Sequence, residues 1–252
     1  MISGVNYDDL VDSLHLKNQK LGTIEHPFAL IDTEIICDRY AAYSREERID
    51  LFMPAFRAFD RERRRRLSLY PGAEDLLNYC KSFGVRVIAL SEAHVPAVHS
   101  RLELLDVEKF FRIIYCVRPR GFEKEGRFDR IKRKLDSQYR LIDFGLKKPD
   151  PMFISSVMRE QSLRRSNAIY VGDSLDRDIR IANDAGIQSA WAAYGVRHNE
   201  KNAEFLVRLS HWTADEVEAY KARARLREAV PNFELSQSLE ELIPILRGAK
   251  AA

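Results

Sequence analysis

The chain has 252 residues, 45% of them hydrophobic and 31% charged. That is enough for one α/β domain with an accessory element, or for two small domains. Its 41 basic and 38 acidic residues leave a net charge of +3, too small to make nucleic acid the expected partner. No apolar run approaches the roughly 20 residues of a membrane span, and the start carries no signal-peptide pattern. The expectation is a cytoplasmic protein that is not a membrane protein. Cys37, Cys80 and Cys116 are odd in number and far apart, which suits reduced thiols better than disulfides or a metal knot.

In chain order, Val5 to Lys20 reads as an amphipathic helix. Phe28-Ala-Leu-Ile31 is a short apolar run that stops at Asp32, the pattern of a strand buried on both faces. Ser44 and Glu47 have capping-box spacing, and Leu51, Phe52, Ala55, Phe56 and Phe59 then recur on one helical face. Pro54 within that face predicts a kink or two short helices. Arg61, Arg63, Arg64, Arg65 and Arg66 form a basic block, read first as a solvated helix face. The competing reading is an electropositive rim for an anionic substrate.

Pro71-Gly72 opens a helix to about Phe83, and Val85 to Leu90 is a second strand. A helix near Pro96 to Leu105 leads to a third strand, Arg112 to Val117. Arg118 to Leu146 is basic and without periodicity, either part of a substrate rim or a loop without structure of its own. Pro151 starts a helix, Ala168 to Val171 is a fourth strand, and Leu175 to Ala185 is the helix stopped by Gly186. Gln188 to Ala193 is a fifth strand, Trp212 to Tyr220 a surface helix, and Phe233 to Leu246 a closing strand and helix. Strands alternating with helices predict an α/β fold: a Rossmann-like parallel sheet with helices on both faces. In such sheets ligands bind beyond the carboxyl ends of the strands.

Four groups of residues fall at those ends. Val171-Gly-Asp-Ser-Leu-Asp-Arg-Asp178 places Asp173 directly after a strand, with Asp176 and Asp178 in the next turn. Clustered carboxylates repel unless a cation sits among them, and oxygen ligands favour Mg²⁺. The plainer reading, helix capping, is preferred for Asp176. Lys147-Lys-Pro-Asp-Pro151 fixes Lys148 just before a helix, where it can stabilise phosphoryl oxygens or be a surface lysine at a junction. Ser91 ends a strand with a hydroxyl that can donate. Asp32 ends the first strand, where a carboxylate can attack phosphorus, and Glu34 two residues on can move protons. Glu92 and His94 are candidate substrate contacts, or a polar pair that caps a helix.

In this order and spacing, with Tyr70-Pro-Gly-Ala-Glu-Asp-Leu-Leu77 and Trp191 to Gly195, the chain resembles the haloacid-dehalogenase-like (HAD) superfamily, in its phosphatase-like branch. The resemblance covers roughly residues 27 to 196 and the closing strand and helix. It implies that Asp32 is a nucleophile forming an aspartyl-phosphate, that Glu34 is acid and base, and that Ser91 and Lys148 hold the phosphoryl group. It further implies Mg²⁺ held by Asp32, the Glu34 carbonyl and Asp173, with Asp178 in support. Residues 1–38 and 70–252 would form the core, and 39–69 a small helical cap. The expected substrate is a small anionic phosphorylated metabolite.

The first motif departs from the family's Asp-x-Asp-Gly-Thr, reading Asp32-Thr-Glu34-Ile-Ile36. In one register Asp32 attacks and Glu34 carries the proton with an extra methylene. In the other, Leu30 stands at the nucleophile position and the site is inert. The apolar run ending at Ile31 favours the first. The alternative function is a HAD-fold protein, catalytically impaired, with a binding or regulatory role.

Overall fold

The computed structural model describes residues 4–26, 28–118, 137–142, 148, 150–196, 200–226 and 229–251. Most of the basic Arg118–Leu146 stretch therefore lies outside the described residues. The chain divides into two compact units. The first is built from residues 1–67, 119–130 and 198–218, and the second from 68–118, 131–197 and 219–252.

The first unit is helical. Helix α1, Tyr7–Leu21, begins at Asn6, whose side chain accepts the Asp8 N–H, and stops at Gly22 in the left-handed conformation. Helix α2 is short, Glu34–Arg39. Helix α3, Arg45–Arg66, starts with the capping box expected of Ser44 and Glu47, both halves of which form. Pro54 lies inside α3 without ending it. Arg63 and Arg64 pair with Asp60, and Arg65 and Arg66 with Glu62, so most of the basic block is ion-paired along a solvated helix face that keeps a net positive charge. Helix α8, Glu200–Leu209, sends its Arg208 to Asp8 and Asp12 of α1.

Here the structure corrects one element. Phe28 to Ile31 is not a strand: Leu30–Asp32 form a single 3-10 turn, and Ile31 packs at 0% exposure with Ile36 and Phe52. Four apolar residues in a row satisfy a buried turn as well as a buried strand, and only the partners available decide between them.

The second unit is α/β, and among the described residues every strand pair is parallel. Its elements in chain order are α4 (Ala73–Ser82), β1 (Val87–His94), α5 (Val95–Leu104), β2 (Phe111–Val117) and β3 (Tyr139–Ile142). Then come α6 (Pro151–Glu160), β4 (Ile169–Gly172), α7 (Arg180–Asp184) and β5 (Gln188–Ala192). Helix α9 (Ala214–Leu226) crosses from the first unit's residues into the second's, and β6 (Phe233–Leu235) and α10 (Leu242–Ala251) close the chain. Strand β3, in a stretch read as irregular, is an addition to the sequence expectation.

The strands form two ladders, β1-β2-β3 and β4-β5-β6. The ladders share one layer, which the alternation of side chains reveals. Val87 of β1 and Ile169 and Val171 of β4 pack against one apolar cluster, with α4 and α10. Ile88 and Leu90 of β1 and Tyr170 of β4 pack against the other, with α6 and α7. Helices thus cover both faces, as expected of a parallel sheet. Among the described residues no ladder joins β1 to β4, and both strands are only part-buried while β2 is buried along most of its length. No described helix is long and apolar enough to cross a membrane.

Candidate active site

Strand β4 ends at Gly172, and the chain then turns through Asp173 and Ser174 into a π-helical turn, Leu175–Ile179. Glycine is required there by space. A Cβ on Gly172 would stand 2.3 Å from the Asp178 Cβ and 2.7 Å from its Oδ2. The missing side chain is what lets the Asp178 carboxylate fold back against the strand end.

That carboxylate is the hub of the site. Asp178 Oδ1 accepts from the Lys148 ammonium at 2.6 Å and from the Tyr170 hydroxyl at 3.1 Å, and Oδ2 accepts the Ser174 N–H at 3.2 Å. The pair is enclosed, with Lys148 at 13% and Asp178 at 8% side-chain exposure. Burial pushes the Asp178 carboxyl up, but the Lys148 charge, together with the Ser174 and Tyr170 hydrogen bonds, more than offsets it, and its pKa lies below the ordinary aspartate value. Burial works against the Lys148 charge as well, and Tyr170 and Asp178 outweigh it, so the ammonium is held charged. An ammonium has three donors, and Asp178 takes one of them.

Asp173 behaves in the opposite way. Burial first, and then the neighbouring Asp178 charge, raise its pKa. Its backbone carbonyl accepts the Trp191 indole N–H at 2.9 Å, which fixes the turn. Asp176, read as a helix cap, does not serve as one: no side chain caps this turn or the helix after it, and Asp176 accepts from the Ser174 hydroxyl at 2.7 Å.

Ser91 and Glu92 lie within β1, whose register against β2 breaks between Leu90 and His94. The Ser91 hydroxyl oxygen accepts the Ala93 N–H at 3.1 Å. Glu92 reaches the cluster: Oε1 accepts the Lys148 backbone N–H at 2.7 Å, and Oε2 accepts from the Arg177 guanidinium. His94 is buried at the start of α5, at 1% exposure.

The structure therefore brings Glu92, Lys148, Asp173 and Asp178 together in the second unit. Asp32 and Glu34 belong to the first. Asp32 ends its 3-10 turn and is gripped by Arg45, Nε to Oδ1 at 2.9 Å and Nη2 to Oδ2 at 3.0 Å. Glu34 opens α2, and the Thr33 hydroxyl between them donates to the Leu30 carbonyl at 2.7 Å.

Among the described residues no three His, Cys, Asp or Glu side chains converge on one point. A Mg²⁺ that keeps most of its waters needs only one or two protein carboxylates. Asp173, whose charge is opposed by burial and by Asp178, is the carboxylate that such a cation would favour, so the residues present fit a magnesium of that kind.

Two members of the cluster escaped the reading of the sequence. Tyr170 sits mid-strand, where its ring reads simply as core, and Arg177 lies between two aspartates that draw attention first. The signal was available for Tyr170: its side chain is two residues before Gly172, on the strand whose end carries the acids.

Residues 145–219 match a protein-family model described as HAD-hydrolase-like. Phosphoglycolate phosphatase of Pseudomonas syringae pv. tomato is 25% identical over 159 residues, which is 63% of this chain and 48% of that protein. A Methanopyrus kandleri glyceraldehyde 3-phosphate phosphatase is 42% identical over 45 residues, 18% of this chain and 19% of that one. Among solved structures, a β-phosphoglucomutase from Clostridium difficile aligns at 14% identity and a TM-score of 0.45, covering 97% of this chain and 87% of its own. Residues 145–219, which carry Lys148, Asp173 and Asp178, are thus similar to the HAD-hydrolase-like family. The chain spans about half the length of the phosphoglycolate phosphatases that it matches, 48% of the Pseudomonas syringae protein.

Proposed function

We propose that this chain is a Mg²⁺-dependent phosphomonoester hydrolase acting on a small anionic phosphorylated metabolite. The observation that carries the reading is the buried Lys148–Asp178 pair beside Asp173, at the end of β4. A fixed ammonium suits phosphoryl oxygens, and such a preorganised charge is the main source of catalysis in phosphoryl transfer. In this reading Lys148 and Ser91 hold the phosphoryl group, Asp178 keeps Lys148 in place, and Asp173 holds Mg²⁺. Bound there, the cation would offset charge on the phosphoryl oxygens. Asp32 is the proposed nucleophile, forming an aspartyl-phosphate, with Glu34 as acid and base, and residues 39–69 are the proposed cap.

The test is phosphate release from a panel of phosphomonoesters that includes phosphoglycolate and glyceraldehyde 3-phosphate. Wild type, Asp32→Asn and Glu34→Gln are compared with and without Mg²⁺. Release that needs Mg²⁺ and disappears in Asp32→Asn supports the assignment; release that survives in Asp32→Asn removes Asp32 from the mechanism.

A second reading has its own observation. Asp32 stands on a 3-10 turn in a two-pronged grip from Arg45 rather than at a strand end. That favours a HAD-fold protein with a binding or regulatory role. It predicts no release from any ester, with Mg²⁺ and inorganic phosphate still raising the melting temperature.

A further inference from the structure

Glu92 has a place in the cluster that neither a substrate contact nor a helix cap accounts for. The N-cap of α5 is His94, and no side chain caps that helix. Both carboxylate oxygens of Glu92 are engaged by groups far away in the chain: the Lys148 N–H, 56 positions on, and the Arg177 guanidinium, 85 positions on. Arg177 is bonded through the chain to Asp178, and Asp178 accepts from the Lys148 side chain. Four residues thus close a ring: Glu92 to the Lys148 backbone, the Lys148 ammonium to Asp178, Asp178 to Arg177 along the chain, and Arg177 back to Glu92. The ring joins the end of β1, the turn before α6 and the turn after β4. It holds two cations and two anions and is neutral as a whole.

We propose that Glu92 is a positioning residue, which anchors Lys148 by its backbone N–H and offsets charge on Arg177, so that Lys148 is the cation presented to a phosphoryl group. The proposal rests on the phosphohydrolase reading of this site. A side chain held by only its own terminal ion pair can swing, whereas one whose backbone N–H is also pinned has a fixed origin. A displacement of about 1 Å at such a group costs on the order of 100-fold in rate. Offsetting the Arg177 charge has a separate effect: a second cation with less of its charge offset would tighten the hold on free phosphate, which turnover must release.

Two variants separate these roles. Glu92→Gln keeps an oxygen to accept the Lys148 N–H but loses the ion pair with Arg177, and Glu92→Ala loses both. Hydrogen exchange at the Lys148 amide is expected to be near wild type in Glu92→Gln and at least about tenfold faster in Glu92→Ala. Inorganic phosphate, titrated with Mg²⁺ present, is expected to bind roughly fivefold tighter to both variants. The gain should vanish when Arg177→Gln is added. In turnover kcat falls in both, more in Glu92→Ala, while KM does not rise. A residue needed only for folding would instead weaken phosphate binding and lower kcat together.

Unchanged exchange at Lys148 in Glu92→Ala overturns the anchoring role, and phosphate binding that is unchanged or weaker in Glu92→Gln overturns the charge-offsetting role. If Glu92→Ala does not fold, Glu92→Gln with and without Arg177→Gln decides the proposal by phosphate affinity. If the wild type releases no phosphate from any ester, the hydrolase reading falls, while the exchange and phosphate measurements still decide the part played by Glu92.

Discussion

The two units each hold an aspartate in the grip of a cation, and the grips differ in kind. In the second unit Asp178 and Lys148 are enclosed, at 8% and 13% side-chain exposure, and Tyr170 and Ser174 supply further hydrogen bonds. In the first, Asp32 and Arg45 are at 17% and 40%. The geometry of the exposed pair is the better of the two, since it is two-pronged. Energetically the order is reversed. Solvent screens the Arg45 pair and leaves it worth about 0–1 kcal/mol, whereas breaking a buried pair strands a charge in a poor solvent. Burial, not the number of hydrogen bonds, decides which partner can be removed.

The sharpest way to break this contrast is Lys148→Met. It should lower unfolding stability by about 3–5 kcal/mol, the cost typical of a buried charge that has lost its partner, measured by urea denaturation at pH 7. Phosphate release, where present, should fall with it. A loss no larger than that of Arg45→Met would collapse the distinction between the two sites.

Next in size is Gly172→Ala. The added methyl would meet the Asp178 side chain at 2.3 Å, and overpacking of this sort costs about 1–3 kcal/mol. Because the group displaced is the carboxylate that holds Lys148, phosphate release, where present, should drop further than stability does.

Acid sharpens the comparison by sign. The pKa of Asp178 is lower in the folded protein than its ordinary value. Its contribution to stability is therefore full above about pH 4, near the unfolded aspartate pKa, and is lost as pH falls through the lower folded value. In Lys148→Met burial becomes the dominant influence on Asp178 and raises its pKa. The sign at this group then reverses, and acid should relieve part of the destabilisation. Denaturation curves for both proteins between pH 3 and 7 test this; parallel curves would mean that Lys148 does not control Asp178.

Smallest of all is Arg45→Met, for which a change of about 0–1 kcal/mol is expected. Its value lies in activity. If the Arg45 grip restrains a nucleophilic Asp32, release of phosphate rises in the variant; if Asp32 has no part in chemistry, release does not change.

Much of the second unit could be read from the chain alone. The four strands at 87–94, 111–117, 169–172 and 188–192 overlap the runs read at Val85 to Leu90, Arg112 to Val117, Ala168 to Val171 and Gln188 to Ala193, because strands buried on both faces need continuous apolar sequence. Asp173 and Lys148 were legible for the same reason: chemistry gathers at the carboxyl ends of parallel strands. The Ser44–Glu47 box was legible because capping is satisfied within four residues.

What the sequence by itself determined, then, is whatever depends on neighbours along the chain: strand runs, caps, and the order of polar residues at strand ends. Tertiary structure alone decided the rest. Phe28 to Asp32 has the composition of a strand and lies in a turn, because a strand exists only through hydrogen bonds to partners elsewhere, and Ile31 found Ile36 and Phe52 instead. Glu92 read as a substrate contact or a helix cap and became a link between segments 56 and 85 positions away. A carboxylate's partners are chosen by position in space, and one-dimensional spacing carries no record of that choice.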